Sequence, residues 1–281
     1  MKSPSYPERD KEIIDYQTYF LENTGQFFRG PKIENLSSTP HFVCIGAAQT
    51  FGCFCERPYP KILEEKLNLP PLNLGVGGAG PSFYLKNEAL ISYINQGQFA
   101  IVQVMSGRSE GNHLFESRKG TSFLTKVSDG TSLNAEATYS QLLKAESRSV
   151  VRQIVAETRQ NWLNNYKKLL GEIKIPKILL WFSVRKPYYQ ERYANSYQLF
   201  GDFPQFVNLK MMEQLRQYSD DYVECVSIRG KFHLLASRFT GKPVYVPYGP
   251  KKIYYNTYYP SPEMHVDAAY LLEEVCKKYL T

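Results

Sequence analysis

The stretch Phe42-Val43-Cys44-Ile45-Gly46-Ala47-Ala48-Gln49-Thr50-Phe51-Gly52 decides how the rest of the chain is read. Four apolar residues stopped by a glycine have the character of a short parallel strand buried on both faces, and the small residues after it suit a tight turn. Downstream, Ile62, Leu63 and Leu67 fall at helical spacing behind Pro58 and Pro60, which predicts a helix over Tyr59–Leu67. Leu72-Asn73-Leu74 is a second short strand, stopped by Gly75-Val76-Gly77-Gly78-Ala79-Gly80, and a helical stretch over Phe83–Ile94 leads to a third at Phe99–Met105. Strands alternating with helices in this way form parallel βαβ units, whose ligand site lies beyond the carboxyl ends of the strands. The loops starting at Gly46, Gly75 and Ser106 are therefore expected on one rim.

Further out, the pattern predicts a long helix over Ala145–Leu170, strands at Lys177–Ser183 and Tyr222–Val226, and a last helix over Val266–Leu280. The expected fold is α/β, a three-layer α/β/α sandwich around a central parallel sheet of about five strands. Residues 1–40 are polar and proline-bearing, with an aromatic segment at Tyr16–Phe28, and read as an arm packing on one domain over 41–281. Within that domain, residues 107–140 are rich in Ser, Gly and Thr and read as an insertion or loop.

The 281 residues include 34 Lys or Arg against 27 Asp or Glu, a net charge of +7, but the basic residues are dispersed. Clusters such as Lys167-Lys168 and Lys277-Lys278 are too short for a nucleic-acid stripe, so no nucleic-acid partner is expected. No stretch approaches the roughly 18 apolar residues of a membrane span, and Met1–Asp10 has no apolar signal core. The expected location is the cytoplasm. Five scattered cysteines form no disulfide framework, and Cys53 and Cys55, one residue apart with no second pair, make no metal site. Each of those two thiols is either a small buried hydrophobe or a nucleophile.

Ile45–Gly52, followed by the helix at Tyr59-Pro60-Lys61-Ile62-Leu63, resembles the first block of SGNH/GDSL hydrolases, where a Gly-Asp-Ser-x-Thr turn follows the first strand. Asn73–Gly80 looks like their second block, Val104–Ser109 falls where the third ends its strand, and His265 matches the position of the catalytic histidine. Phe28-Arg29-Gly30-Pro31 ahead of these blocks is similar to an uncharacterised bacterial family of SGNH-like proteins. The resemblance implies an oxyanion or anion cradle at Gly46, Gln49, Gly75, Gly77, Gly78 and Asn112. Against the pattern, Ala47 stands at the aspartate position, Ala48 at the nucleophilic serine, Ser109 at the oxyanion-hole asparagine, and Pro262 three residues before His265. Alanine cannot attack a carbonyl, which leaves Thr50, Cys53 or Cys55 as replacements for the serine.

A base and a cradle survive, and a base without a nucleophile suits direct transfer. The first expectation is thus a group transferase acting on a hydroxyl of a saccharide or other polar metabolite. His265 would be general base, Thr50 and Ser109 would assist, and acetyl-coenzyme A would serve as co-substrate rather than resident cofactor. A second is a sulfotransferase, because Arg118-Lys119-Gly120 resembles the element holding the 3′-phosphate of 3′-phosphoadenylyl sulfate, with Arg108 nearby in sequence. A third is a non-catalytic, glycan-binding protein, whose mark would be a filled pocket at Ala48 and His265 turned from the rim. Tyrosines crowd two loops, at Tyr188–Tyr197 and Tyr245–Tyr259, where rings stack on sugar faces or serve a homo-oligomer interface.

Overall fold

The computed structural model describes residues 5–248 and 251–280, apart from the side chains of Tyr248 and Lys251. The arm contributes α1 (Tyr6–Asp10) and an antiparallel hairpin of β1 (Tyr19–Leu21) and β2 (Gln26–Phe28). Residues 1–4 of the expected arm lie outside the description. Then follow β3 (Phe42–Ile45), α2 (Ala48–Phe51), α3 (Tyr59–Leu67), β4 (Pro71–Asn73), α4 (Pro81–Leu85), α5 (Glu88–Ile94) and β5 (Ala100–Gln103). Where the apolar spacing predicts one helix over Phe83–Ile94 there are two. Asn87 accepts the Leu90 amide at 3.3 Å and so starts α5 afresh.

The insertion is folded rather than loop. It holds a three-stranded antiparallel sheet of β6 (Phe115–Glu116), β7 (Phe123–Lys126) and β8 (Ser132–Asn134), then α6 (Ala135–Ala145). Phe115, Leu124 and Tyr139 bury against Ile154 and Phe206, giving this segment its own apolar cluster. Ser147 caps the next helix, α7 (Arg148–Glu172), which runs the length of the domain. The chain continues through β9 (Lys177–Ser183), α8 (Ser196–Phe200), α9 (Leu209–Arg216) and β10 (Asp221–Val226). Short strands β11 (His233–Leu234), β12 (Val246–Tyr248), β13 (Lys251–Ile253) and β14 (Tyr255–Asn256) precede α10 (Pro262–Lys277).

The central sheet is parallel throughout, in the order β10-β9-β5-β3-β4. Side chains alternate across it with period two. Phe42, Cys44, Ile101 and Ile178 point to the layer containing α3 and α10, whereas Val43, Ile45, Val102 and Trp181 point to the layer containing α4, α5 and α7. Both faces are thus covered, which is why the strands read as continuous apolar runs. Each fully buried aliphatic or aromatic side chain there contributes about 1.5–3 kcal/mol. Among the described residues, no helix is long and apolar enough to cross a membrane.

Candidate functional site

Because β3 pairs with both β4 and β5, the turns after all three strands meet at one edge of the sheet. Gly46 begins the first turn, and a Cβ there would lie 2.2 Å from Thr50 Oγ1 and 2.3 Å from Gln103 Oε1. Gln103 Oε1 accepts from the Ala47 amide (3.0 Å) and from the Thr50 hydroxyl (2.7 Å), pinning the turn to the end of β5. Gly52 closes α2 in the left-handed region (φ 78°). The arm then seals that end: Arg29 donates to the carbonyls of Phe51 (3.0 Å), Gly52 (2.8 Å) and Glu56 (2.9 Å).

These bonds occupy the groups that the hydrolase resemblance assigned to chemistry. Thr50 is fully buried, with the Tyr59 hydroxyl 3.0 Å from its Oγ1 and its own proton given to Gln103. Ala48, at the serine position, is packed with Ile13, Tyr16, Phe51, Leu235 and Val246. The Gly75 amide donates to Asn73 Oδ1 at 3.0 Å, so it is not presented to an oxyanion. The Tyr6 ring covers Gly77, and the Gly78 carbonyl accepts from Ser109 Oγ at 2.9 Å. Asn112 is spent inside the insertion, donating to Thr158 Oγ1 (2.9 Å) and accepting from the amides of Leu114 and Phe115. Burial pushes the thiols of Cys53 and Cys55 up to about 12, leaving neither as a nucleophile at neutral pH.

His265 does not fit the expected general base. Its Nδ1 accepts the Tyr59 amide at 3.2 Å, its ring stacks on Tyr59 and meets Phe182 edge-on, and no part of it is exposed. Burial first, then the neighbouring charges of Arg29 and His233, pull its pKa from 6.5 down to about 3. The lone pair is already in use, and the other nitrogen, Nε2, is buried without a partner among the described residues. The expected phosphate-binding trio is also divided. Arg108 lines one cleft, Arg118 pairs with Glu116 beside a different cavity, and Lys119 is exposed.

What the sheet edge does present is a cleft of 390 Å³ at the carboxyl ends of β3, β5 and β9, reached by Gln49, Arg108 and Ser183. Its far wall is the segment Asp202–Gln205, held by Arg185, which donates to the carbonyls of Asp202 (3.0 Å), Pro204 (2.8 Å) and Val207 (2.9 Å). Gly107 lets this wall approach, since its amide donates to the Gln205 carbonyl at 2.8 Å and a Cβ would sit 3.1 Å from Phe206. Rings of Phe182, Tyr197, Phe200 and Tyr258 complete the walls. The two tyrosine-rich loops therefore meet here, one supplying Tyr197 and the other Tyr258.

Three of the residues lining this cleft each hold a buried polar atom with no hydrogen-bond partner among the described residues: Gln49 Oε1, Gln205 Oε1 and Arg108 Nε. Gln49 and Gln205 are 2% and 4% exposed, so water does not satisfy them from bulk. Gln205 Nε2 donates to the Tyr258 hydroxyl at 3.1 Å, and turning the amide over would only exchange which atom lacks a partner. Leaving such a group unpaired costs about 1–3 kcal/mol. The cleft's charges balance: Arg108 pairs with Glu136, and Asp202 is the anionic neighbour of Lys231, whose pKa is lowered by burial. Of these residues only Gln49 and Arg108 stood out in the sequence. Gln205, Lys231, Glu136 and Asp202 lie in separate segments with no shared motif.

The family model described as a domain of unknown function, DUF6473, matches residues 5–280. The chain belongs to this family. Among solved structures, this DUF6473 chain is similar to a protein from Slackia heliotrinireducens described as an SGNH hydrolase, at 14% identity and a TM-score of 0.41, covering 85% of this chain and 100% of that one. An alpha/beta hydrolase from the metagenome of Lake Arreo, Spain, is similar at 9% identity and a TM-score of 0.46, with 88% and 100% covered. A catalytic mutant of an acetylxylan esterase from Geobacillus stearothermophilus is similar at 10% identity and a TM-score of 0.44, with 86% and 96% covered. These are likenesses of the parallel α/β sandwich, and nothing about the site is taken from them. No curated protein matches the chain in sequence.

Proposed function

We propose that this protein binds a hydroxyl-rich, uncharged ligand, a saccharide, in the cleft between Gln49 and Gln205 and does not turn it over through a covalent intermediate. The observation that carries the reading is an aromatic-walled cleft whose lining includes Gln49, Gln205 and Arg108, each with a polar atom that is buried and unpartnered among the described residues. Two unpartnered acceptors and one donor suit hydroxyl groups, which both donate and accept. Balanced fixed charges favour a neutral ligand over the anionic donor of the sulfotransferase expectation. Acyl or sulfuryl transfer through His265 is not part of this reading, because its lone pair is engaged by Tyr59 and the serine position is filled by apolar packing.

A thermal-shift screen tests it, with monosaccharides and disaccharides in one set and acetyl-coenzyme A and adenosine 3′,5′-bisphosphate in another. A saccharide at a hundredfold excess over its Kd should stabilise the protein by about 2.7 kcal/mol. Gln205→Leu should abolish the shift. A shift with acetyl-coenzyme A or the bisphosphate alone would overturn the proposal in favour of a transferase.

A further inference from the structure

Exposed rings are concentrated on the chain segment that supplies Tyr258 to the cleft. Tyr245, Tyr254, Tyr255 and Tyr258 are 46%, 45%, 52% and 44% exposed, all within one excursion between β10 and α10. Among the described residues the hydroxyls of Tyr245, Tyr254 and Tyr255 have no partner, whereas that of Tyr258 accepts from Gln205 (3.1 Å) and Arg108 (3.4 Å) in the cleft wall. The rings are ordered by backbone pairing. Leu234 opposes Tyr255 across β11 and β14, and the Leu235 amide donates to the Tyr254 carbonyl at 2.8 Å. Tyr245 and Tyr254 lie 5.7 Å apart, and Lys252 Nζ sits 4.5 Å above the Tyr245 ring. Buried Asn256 makes the corner, accepting from the amides of Tyr258 (3.2 Å) and Tyr259 (2.9 Å). Four residues of chain span at most about 14 Å, so the Tyr245–Tyr254 pair lies within the length of a short oligosaccharide from the cleft mouth.

Resting on the saccharide reading of the cleft, we infer that the ligand is a chain rather than a single sugar, and that the Tyr245–Tyr254 pair is the track along which its further units lie. A core would bury leucine or valine at these positions. Tyrosine instead offers a flat apolar face to the C–H side of a sugar ring and a free hydroxyl to its edge. Tyr258 is hydrogen-bonded in the cleft wall, partly exposed, and four residues along the chain from Tyr254.

The test is calorimetric titration of the full chain with xylo-, cello-, malto- and chito-oligosaccharides of one to six units, beside Tyr254→Ala, Tyr245→Ala and Gln205→Leu. Affinity in the best-bound series should rise with length. Each tyrosine variant should weaken the longer members by about three- to tenfold and leave the shortest unchanged. Gln205→Leu should lose binding at every length. Affinity independent of length, with both tyrosine variants silent, would overturn the track and leave the cleft reading standing. Failure of every length to bind would overturn both. A dimer in light scattering that Tyr254→Ala dissolves, with no effect on saccharide affinity, would overturn the track in favour of self-association. Being surface substitutions, the tyrosine variants should keep the parent Tm, so loss of fold does not confuse the outcome.

Discussion

Replacing His265 with asparagine should remove a defined part of the protein's acid sensitivity. His265 is wholly buried, its Nδ1 accepts the Tyr59 amide, and its pKa falls from 6.5 to about 3 on folding, mainly through burial. A group with a depressed folded pKa binds protons more readily in the unfolded chain. Its contribution to stability is therefore complete above pH 6.5 and is lost as the pH falls towards 3. At pH 4.5, two units below the unfolded value of 6.5, the loss from this one residue is about 2.7 kcal/mol, at roughly 1.36 kcal/mol per unit. Asparagine keeps an acceptor for the Tyr59 amide and does not titrate. Urea denaturation of both proteins at pH 7.5 and 4.5 gives the comparison. His41 and His233, also lowered by burial, titrate in both proteins and cancel in the difference. The native chain should lose about 2.7 kcal/mol more than His265→Asn over this interval. Equal losses, or an imidazole resonance of His265 titrating near 6.5 in the folded protein, would refute the buried, neutral histidine. The general-base role would then be open again.

Three other perturbations follow from the same geometry. Ala48→Ser puts a hydroxyl into the apolar cluster of Tyr16, Leu235 and Val246; it should cost about 1–3 kcal/mol in urea denaturation and should not confer labelling by a fluorophosphonate. Gln49→Leu removes an amide that has no partner among the described residues, so the free protein should gain up to about 1 kcal/mol while its thermal shift with saccharide disappears. Arg29→Met strips three carbonyl contacts from the end of α2 and should cost about 3 kcal/mol or more, and Arg29→Lys should recover less than half of it, since one ammonium cannot reproduce the guanidinium fork. Denaturation midpoints of the two variants decide that case.

Much of the architecture could be read in advance because the buried strands are short apolar runs and their punctuation is strong. Phe42–Ile45 ends at Gly46, Leu72 and Asn73 run into the glycine-rich turn, and Pro58 and Pro60 begin α3. Caps were harder to weigh, and Asn87 divides what apolar spacing alone joins. The burial of His265 was also open to deduction. It stands four, seven and eleven residues before Ala269, Leu272 and Cys276, on the stripe that α10 turns into the core. Family position drew attention to the residue, but helical phase decides where it points.

The site divides along the same line. From sequence alone came the parallel α/β class, the shared rim of the three loops, the missing serine at Ala48, and two tyrosine-rich loops. Those features are local, carried by residues a few positions apart. Only the tertiary structure decided which groups on the rim are free. Thr50, Ser109, Asn112 and His265 each find a partner from a distant segment, and such partners leave no trace in local spacing. Gln49, Arg108 and Gln205 line one cleft because Arg185 and Gly107 bring the Asp202–Gln205 wall against the end of β5, a contact between segments nearly a hundred residues apart.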